Sequence, residues 1–241
     1  MSDVSAATTH ATRARALVRR HWAEHVLLPA EMAGRELARR RGALGLLTLL
    51  PLAFYAASRA DSDYAPVLGG IAMAFSISGA AIFCVMSSRR LDSRLVLSGY
   101  RPRELMIGRL LLLESLGTLV ALVFAGVIVL GSNPADPGEL FSGVFLVTLC
   151  AVPFGLAVGA LVPSELESVL ILIGVVGVQL TLSPSNPVAK FLPFWGAQRL
   201  LDQAGGGAGP TTWPIVVAFL YAAGLFVIAC WAVNRRYANV R

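Results

Sequence analysis

Long apolar stretches alternate with short polar segments along this chain, and the alternation predicts its secondary structure. An α-helix rises about 1.5 Å per residue and the hydrocarbon core of a bilayer is about 30 Å thick, so a spanning helix needs about twenty mostly apolar residues. The pattern therefore predicts an all-α integral membrane protein with six transmembrane helices. The expected spans are 42–58, 66–86, 105–130, 140–162, 169–182 and 213–233.

The composition agrees with a multi-pass membrane protein. Of the 241 residues, 56% are hydrophobic and 14% are charged, whereas a soluble domain carries about a quarter charged residues. The mean hydropathy is +0.70. We divide the chain into a disordered tail (1–12), an amphipathic interfacial region (13–41), a six-helix transmembrane domain (42–233) and a cytoplasmic tail (234–241).

The basic residues predict the orientation of the spans. With the N-terminus inside, seventeen of the twenty Lys and Arg residues fall in inner segments, and Arg59, Lys190 and Arg199 fall in outer ones. Cytoplasmic loops of membrane proteins carry an excess of Lys and Arg. We therefore expect both termini in the cytoplasm and no nucleic-acid partner. Nearly all of these residues are Arg, which indicates a GC-rich genome, and we expect a bacterial plasma membrane.

An amphipathic helix is predicted just before the first span. Pro29 opens it, and the pairs Glu31/Arg35 and Glu36/Arg40 stand in the favourable i, i+4 order. Such a helix would lie in the membrane interface, with its arginines toward anionic head groups. A solvated cytoplasmic helix is the alternative.

The most charged connector, residues 87–109, lies between the second and third spans. Leu91, Leu95 and Leu97 are the apolar points of a short amphipathic helix. Ser98-Gly99 breaks that helix, and Pro102 sits near the start of the next one. The charged residues of this connector are Arg89, Arg90, Asp92, Arg94, Arg101, Arg103, Glu104 and Arg109.

The long outer connector, residues 184–212, is partly apolar. Phe191, Phe194 and Trp195 are candidate aromatic anchors, and 197–203 is predicted to form a short helix. The segment either lies in the outer-leaflet interface or forms re-entrant half-helices packed on protein.

Two polar side chains lie within predicted spans. A carboxylate such as Glu114 is costly in a membrane, so we expect either a hydrogen bond to a neighbouring helix or a place on a substrate path. For Gln179 an interhelical hydrogen bond is the favoured interpretation, with the substrate path as the alternative. Cys84, Cys150 and Cys230 fall in apolar runs, where we expect buried thiols.

Motifs for catalysis are missing from the sequence. It contains neither the GxxxxGK[ST] phosphate loop nor the HExxH zinc motif, and its three histidines fall within residues 10–25. The close acid pairs Asp136/Glu139 and Glu165/Glu167 fall in turns. We expect them to be either solvated ends or helix N-terminal acids, where the helix dipole favours negative charge. We therefore expect no catalytic residue, no metal site and no cofactor in this chain.

The sequence resembles the permease subunit of an ABC-2 type transporter. The resemblance comes from GRELARRRG (34–42) before the first span, the six spans, the connector RRLDSRLVLSGYRPRELMIGR (89–109) and the apolar outer connector. It implies a half-transporter that pairs with a second permease, identical or paralogous, and with a separate ATPase subunit that holds ATP and Mg. It also implies that the charged connector is a coupling helix on the ATPase; an ordinary positive-inside loop is the alternative. The implied contact residues are Arg89, Arg90, Leu91, Asp92, Arg94 and Leu95, with Tyr100 and Arg101 at the turn.

The resemblance favours an ATP-driven exporter over two other functions. The apolar spans favour amphiphilic cargo, such as a peptide, a natural product, a drug or a lipid. A non-transporting scaffold or sensor would bind a cytoplasmic partner through the same connector. A lipid-acting membrane enzyme is disfavoured, because no nucleophile, metal or acid–base constellation is present.

Overall fold

The computed structural model describes most of the chain beyond the N-terminal region, and the part that it describes is helical without strands. The predicted disordered tail, Pro29, Glu36 and Arg40 lie outside the described residues. Glu31 and Arg35 are described and form the predicted ion pair, at 2.6 Å. The described residues are 31, 34, 35, 41–58, 64–131, 136–183, 185–207, 209 and 212–238.

Each predicted span coincides with a helix, and an additional helix lies in the outer connector. A 3₁₀-helix, Pro187–Phe191, precedes that additional helix. The α-helices are α1 (Arg41–Ser58), α2 (Ala65–Leu97), α3 (Pro102–Gly131), α4 (Pro137–Leu161), α5 (Glu165–Thr181), α6 (Trp195–Ala204) and α7 (Thr212–Tyr237).

Four of the described helices are long and apolar enough to cross a membrane, namely α2, α3, α4 and α7. A shorter apolar helix, Leu47–Ser58, lies within α1, and α5 has 17 residues. The chain is therefore a helical membrane protein.

Helix α4 occupies the centre of the described bundle, because small residues let its neighbours approach closely. A Cβ added at Gly155 would collide with the backbone carbonyl of Ser78 on α2, and one at Gly159 would press on Ile82. The Ser78 hydroxyl donates to the carbonyl of Ala151, at 3.0 Å. Small residues of the second span thus serve packing within the chain.

The outer connector folds back onto the bundle through α6. Gly70 of α2 and Gly143 of α4 both lie against Leu201, and Gly196 lies against Pro214 at the start of α7. Phe194 and Trp195 are buried in this packing, so their expected role as membrane anchors was wrong: helix α6 turns them into the protein. Phe191 remains 81% exposed.

The predicted helix-terminal acids are confirmed, and two of the three thiols are buried as predicted. The carboxylate of Asp136 accepts from the amides of Gly138 and Glu139, at 2.8 and 3.2 Å, which satisfies donors at the start of α4. Glu165 and Glu167 lie in the first turn of α5. All three cysteines are free thiols: Cys84 and Cys150 are buried, and Cys230 is half-buried.

Candidate functional site

The charged connector begins as the last turns of α2, which runs without a break from the second predicted span to Leu97. Neither Gly nor Pro interrupts residues 87–97, so the amphipathic helix continues the span. The helix ends where Gly99 adopts a positive φ of 98°. Gly99 N–H donates to Val96 and Tyr100 N–H donates to Leu95, at 3.1 and 3.0 Å. These two bonds form a Schellman motif, which requires the left-handed geometry that Gly tolerates.

A second set of local bonds fixes the start of α3. Pro102 occupies its first position, where the missing N–H costs no helical hydrogen bond. The Glu104 carboxylate accepts from the backbone N–H of Arg101, at 3.2 Å, as N3 acids do in a capping box. The predicted turn between the two helices is therefore confirmed, and both of its sides are hydrogen-bonded.

One face of the last turns of α2 points away from the bundle. Arg90 and Arg94 are exposed, and Leu91 and Leu97 are 51% and 70% exposed beside them. We call these four residues the α2 tip surface. Sequence reasoning placed three of them in the contact set and omitted Leu97, although its spacing of three from Arg94 signals the same face. Arg101 is also exposed, in the turn that follows.

The opposite face of the same turns is bonded to other helices. The buried carboxylate of Asp92 accepts from the buried guanidinium of Arg109, two turns into α3. An ion pair without solvent is strongly destabilised by loss of either partner, because the other charge is left buried alone. Asp92 therefore holds α2 to α3, and its carboxylate does not face solvent.

Arg89 binds the end of α4. Its guanidinium donates to the carbonyls of Gly159, Val162 and Pro163, at 2.8, 2.5 and 2.6 Å. The last carbonyls of a helix lack intrahelical partners and carry the negative end of the helix dipole. Arg89 thus caps α4 and fixes the tight turn between α4 and α5.

Helix α7 contacts the same turn of α2. The Tyr237 hydroxyl donates to the backbone carbonyl of Arg89, at 3.3 Å, and Tyr237 is 7% exposed. We call Arg89, Asp92, Arg109 and Tyr237 the α2 clasp. Through them a single turn of α2 contacts α3, the α4–α5 turn and α7. Sequence reasoning did not find Arg109 and Tyr237 as partners, since spacing along the chain carries no signal for contacts between distant helices.

Two residues of the predicted contact set, Leu95 and Tyr100, are half-buried. Both pack against the core rather than projecting from the α2 tip surface. The contact set implied by resemblance therefore divides into an outward group and an inward group.

The two polar residues within predicted spans have different environments. The Gln179 amide on α5 donates to the Gln198 side chain on α6, at 2.5 Å, and Gln198 returns a bond to the Gln179 carbonyl, at 3.4 Å. This is the interhelical bond expected for Gln179. On α3, one carboxyl oxygen of Glu114 is buried and has no hydrogen-bond partner among the described residues.

An apolar cleft of about 260 Å³ opens between α1, α2 and α5. Its lining carries almost no polar surface, because aliphatic and aromatic side chains and one glycine surround it. A cleft of this kind suits a hydrocarbon chain or a ring system and offers little to an ion. The lining residues are Leu50, Phe54, Leu68, Ile71, Ala72, Phe75, Ile173, Val176, Gly177 and Leu180.

The comparison with known families identifies the fold. The ABC-2 family transporter protein model matches residues 46–233, a range that includes the α2 tip surface, the Asp92–Arg109 pair and the apolar cleft. A search of curated proteins gave no match. Components of this family are transport proteins of the membrane and are not themselves catalytic. The chain therefore belongs to the ABC-2 transporter family, and it is the permease of an ABC-type transporter.

Proposed function

We propose that this permease is one membrane half of an ATP-driven exporter in a bacterial plasma membrane, with six spans and both termini in the cytoplasm. The distribution of Lys and Arg supports this orientation. The packing is consistent with it, because the charged connector, the α4–α5 turn and the end of α7 meet at one end of the bundle. Helix α6 and the outer connector lie at the other end.

The α2 tip surface is the proposed docking site for a separate ATPase subunit, which would hold ATP and Mg. Permeases of this family generally work with such a subunit. The observation that carries the proposal is the exposure of Leu91 and Leu97 beside Arg90 and Arg94. Exposed leucines supply apolar contact area to a partner, and the neighbouring charges supply orientation and specificity.

The α2 clasp is the proposed means by which ATPase movement reaches the membrane. A displacement of the α2 tip acts on α3 through Asp92–Arg109 and on the end of α4 through Arg89. The Asp92–Arg109 pair is buried, and the Arg89 hydrogen bonds are short and half-buried. We therefore expect the helices to move with the tip rather than slide past it. Asp92 and Arg89 thus act in coupling from the inward face, while the outward face meets the partner.

The apolar cleft supports an amphiphilic cargo. Its lining comes from three helices of this chain, and it opens toward the surroundings of the bundle. We propose that a second permease copy or paralogue completes the path and that the apolar part of the cargo occupies the cleft.

The docking proposal is tested by affinity purification of the tagged permease from its native membranes, followed by mass spectrometry. A stoichiometric ATPase subunit is expected with the wild type. With the Arg90→Glu, Arg94→Glu double variant, the recovered amount of ATPase subunit should fall at least about tenfold. The reason is that reversing two contact charges in a docking surface lowers the binding free energy by a few kcal/mol.

Two controls accompany that experiment. Lys190→Glu reverses an exposed charge at the opposite end of the bundle and should leave ATPase recovery unchanged. Arg90→Lys, Arg94→Lys keeps the charge and should retain most of it. Full ATPase recovery with the charge-reversed double variant would remove the docking assignment. A wild-type permease that purifies without an ATPase would favour the scaffold.

A further inference from the structure

A groove of about 400 Å³ lies between the ends of α4 and α7. Its floor is formed by two small, buried residues, Ala160 and Ala232. Its apolar walls are Leu161 and Trp231, which are 50% and 54% exposed. The groove is therefore open to the surroundings and has small residues at its base.

Arginines form the outer rim of the same groove. Arg235 and Arg236 line it one turn beyond Trp231, and the Arg235 guanidinium stands 5.2 Å from the centre of the Trp231 ring. This cation–π contact holds one charge over the groove mouth. Trp and Arg in consecutive turns at the end of an apolar helix are typical of the level where hydrocarbon meets head groups.

The rim has an excess of positive charge. The charge of Arg236 acts unfavourably on Arg89, whereas Glu165 acts favourably on it. Arg236 thus lies near Arg89, as Glu165 does, and Arg235 lines the same groove beside Arg236. Repulsion between the arginines is relieved when an anion binds at the rim, so the groove favours a negatively charged occupant.

We propose that this groove binds an anionic phospholipid, with the phosphate between Arg235 and Arg236 and an acyl chain along Trp231 and Leu161. The combination of features selects a lipid over a free anion. Inorganic phosphate would gain from the charges of the rim alone, because it has no apolar part to contact Trp231 and Leu161. A zwitterionic lipid would cover the wall, but its own cation would face the arginines.

The test uses the purified full-length permease in detergent. Native mass spectrometry and thermal unfolding are recorded with dioleoylphosphatidylglycerol, with dioleoylphosphatidylcholine and with glycerol-1-phosphate. The wild type should bind phosphatidylglycerol, and be stabilised by it, in preference to phosphatidylcholine. Each basic residue near an anionic lipid surface contributes appreciably to the free energy of lipid binding. The double variant Arg235→Gln, Arg236→Gln should therefore lower that preference by about tenfold or more.

Matched variants distinguish binding at this groove from a general effect of the protein's positive charge. Arg101→Gln, Arg103→Gln removes the same charge from a neighbouring surface and should keep the preference, as should Arg235→Lys, Arg236→Lys. If the double glutamine variant does not fold, the single variants Arg235→Gln and Arg236→Gln should each show a partial loss. The proposal is overturned by equal binding of the two lipids to the wild type or by an unchanged preference in the glutamine variants. It is also overturned by stabilisation with glycerol-1-phosphate as large as that with the lipid.

Discussion

Adjacent residues at the end of α2 have opposite surroundings, and this division determines what each can do. Arg90 and Leu91 point outward, whereas their neighbours Arg89 and Asp92 are bonded to other helices. Removing an outward side chain alters a surface, but removing an inward one leaves a buried group without its partner. The inward residues are therefore expected to affect stability, and the outward ones association.

Asp92→Asn should destabilise the permease strongly. The buried Arg109 guanidinium would lose its counter-charge, and breaking one side of a buried ion pair typically costs about 3–5 kcal/mol. Thermal unfolding in detergent measures the effect. Glu31→Gln is the control, since its partner Arg35 is exposed and exposed pairs contribute at most about 1 kcal/mol.

A double variant separates the ion pair from other roles of Asp92. Asp92→Leu with Arg109→Met removes both charges and fills the space with apolar groups, so it should regain much of the stability lost in Asp92→Asn. Equal loss in both variants would mean that the pair is not what stabilises the contact between α2 and α3.

At the scale of elements, the end of α4 depends on a side chain from another helix. Arg89 of α2 binds the carbonyl of Gly159 in the last turn of α4 and the carbonyls of Val162 and Pro163 just beyond it. The α4–α5 turn is accordingly expected to keep its shape only while α2 stays in place.

Arg89→Ala should loosen the end of α4 and the following turn. Loss of several charge-assisted hydrogen bonds costs about 2 kcal/mol and exposes helix-terminal carbonyls. Hydrogen exchange of the 158–168 amides should accelerate by about tenfold or more. Arg90→Ala is a matched control, because it removes the same side chain from the exposed face. The capping role is refuted if the two variants exchange alike.

The elements themselves follow from the sequence more closely than their contacts do. Gly99, Pro102 and the apolar runs act locally, so the turn and the helices were predictable. Asp92 with Arg109, and Arg89 with the end of α4, depend on how each helix rotates about its axis, which sequence spacing does not specify between distant helices. Trp195 shows the same limit: its amphipathic chemistry suits a membrane surface, but the fold buries it.

At the scale of the whole molecule, the cleft and the α2 tip are connected through α2. That helix lines the cleft with Leu68, Ala72 and Phe75 and ends in the tip surface. Movement of the tip therefore acts on a wall of the cleft through a continuous helix. The cleft itself was not predictable from the sequence, because it combines residues from three separate helices.

Gly177→Leu should block amphiphile binding in the cleft. Gly177 lines it and has open space beside its Cα, so a larger side chain enters the cleft without displacing the core. Covalent labelling by a benzophenone-bearing alkylphosphocholine, mapped by mass spectrometry, should fall several-fold at the cleft residues.

Gly174→Leu is the control for that substitution. Gly174 lies one turn earlier on α5, also has open space beside it, and does not line the cleft. Its labelling should match that of the wild type. Equal labelling in the Gly177 and Gly174 variants would show that the probe does not enter the cleft.

The length of α5 has a consequence for the bilayer around it. Seventeen residues rise about 25 Å, several ångströms less than the hydrocarbon core. As a spanning helix, α5 is negatively mismatched, and lipid next to a short span thins to meet it. The same helix forms one wall of the cleft. Local thinning shortens the distance that a polar head must travel through hydrocarbon. With the six proposed spans and the proposed amphiphilic cargo, we therefore expect crossing between leaflets to be easiest beside α5.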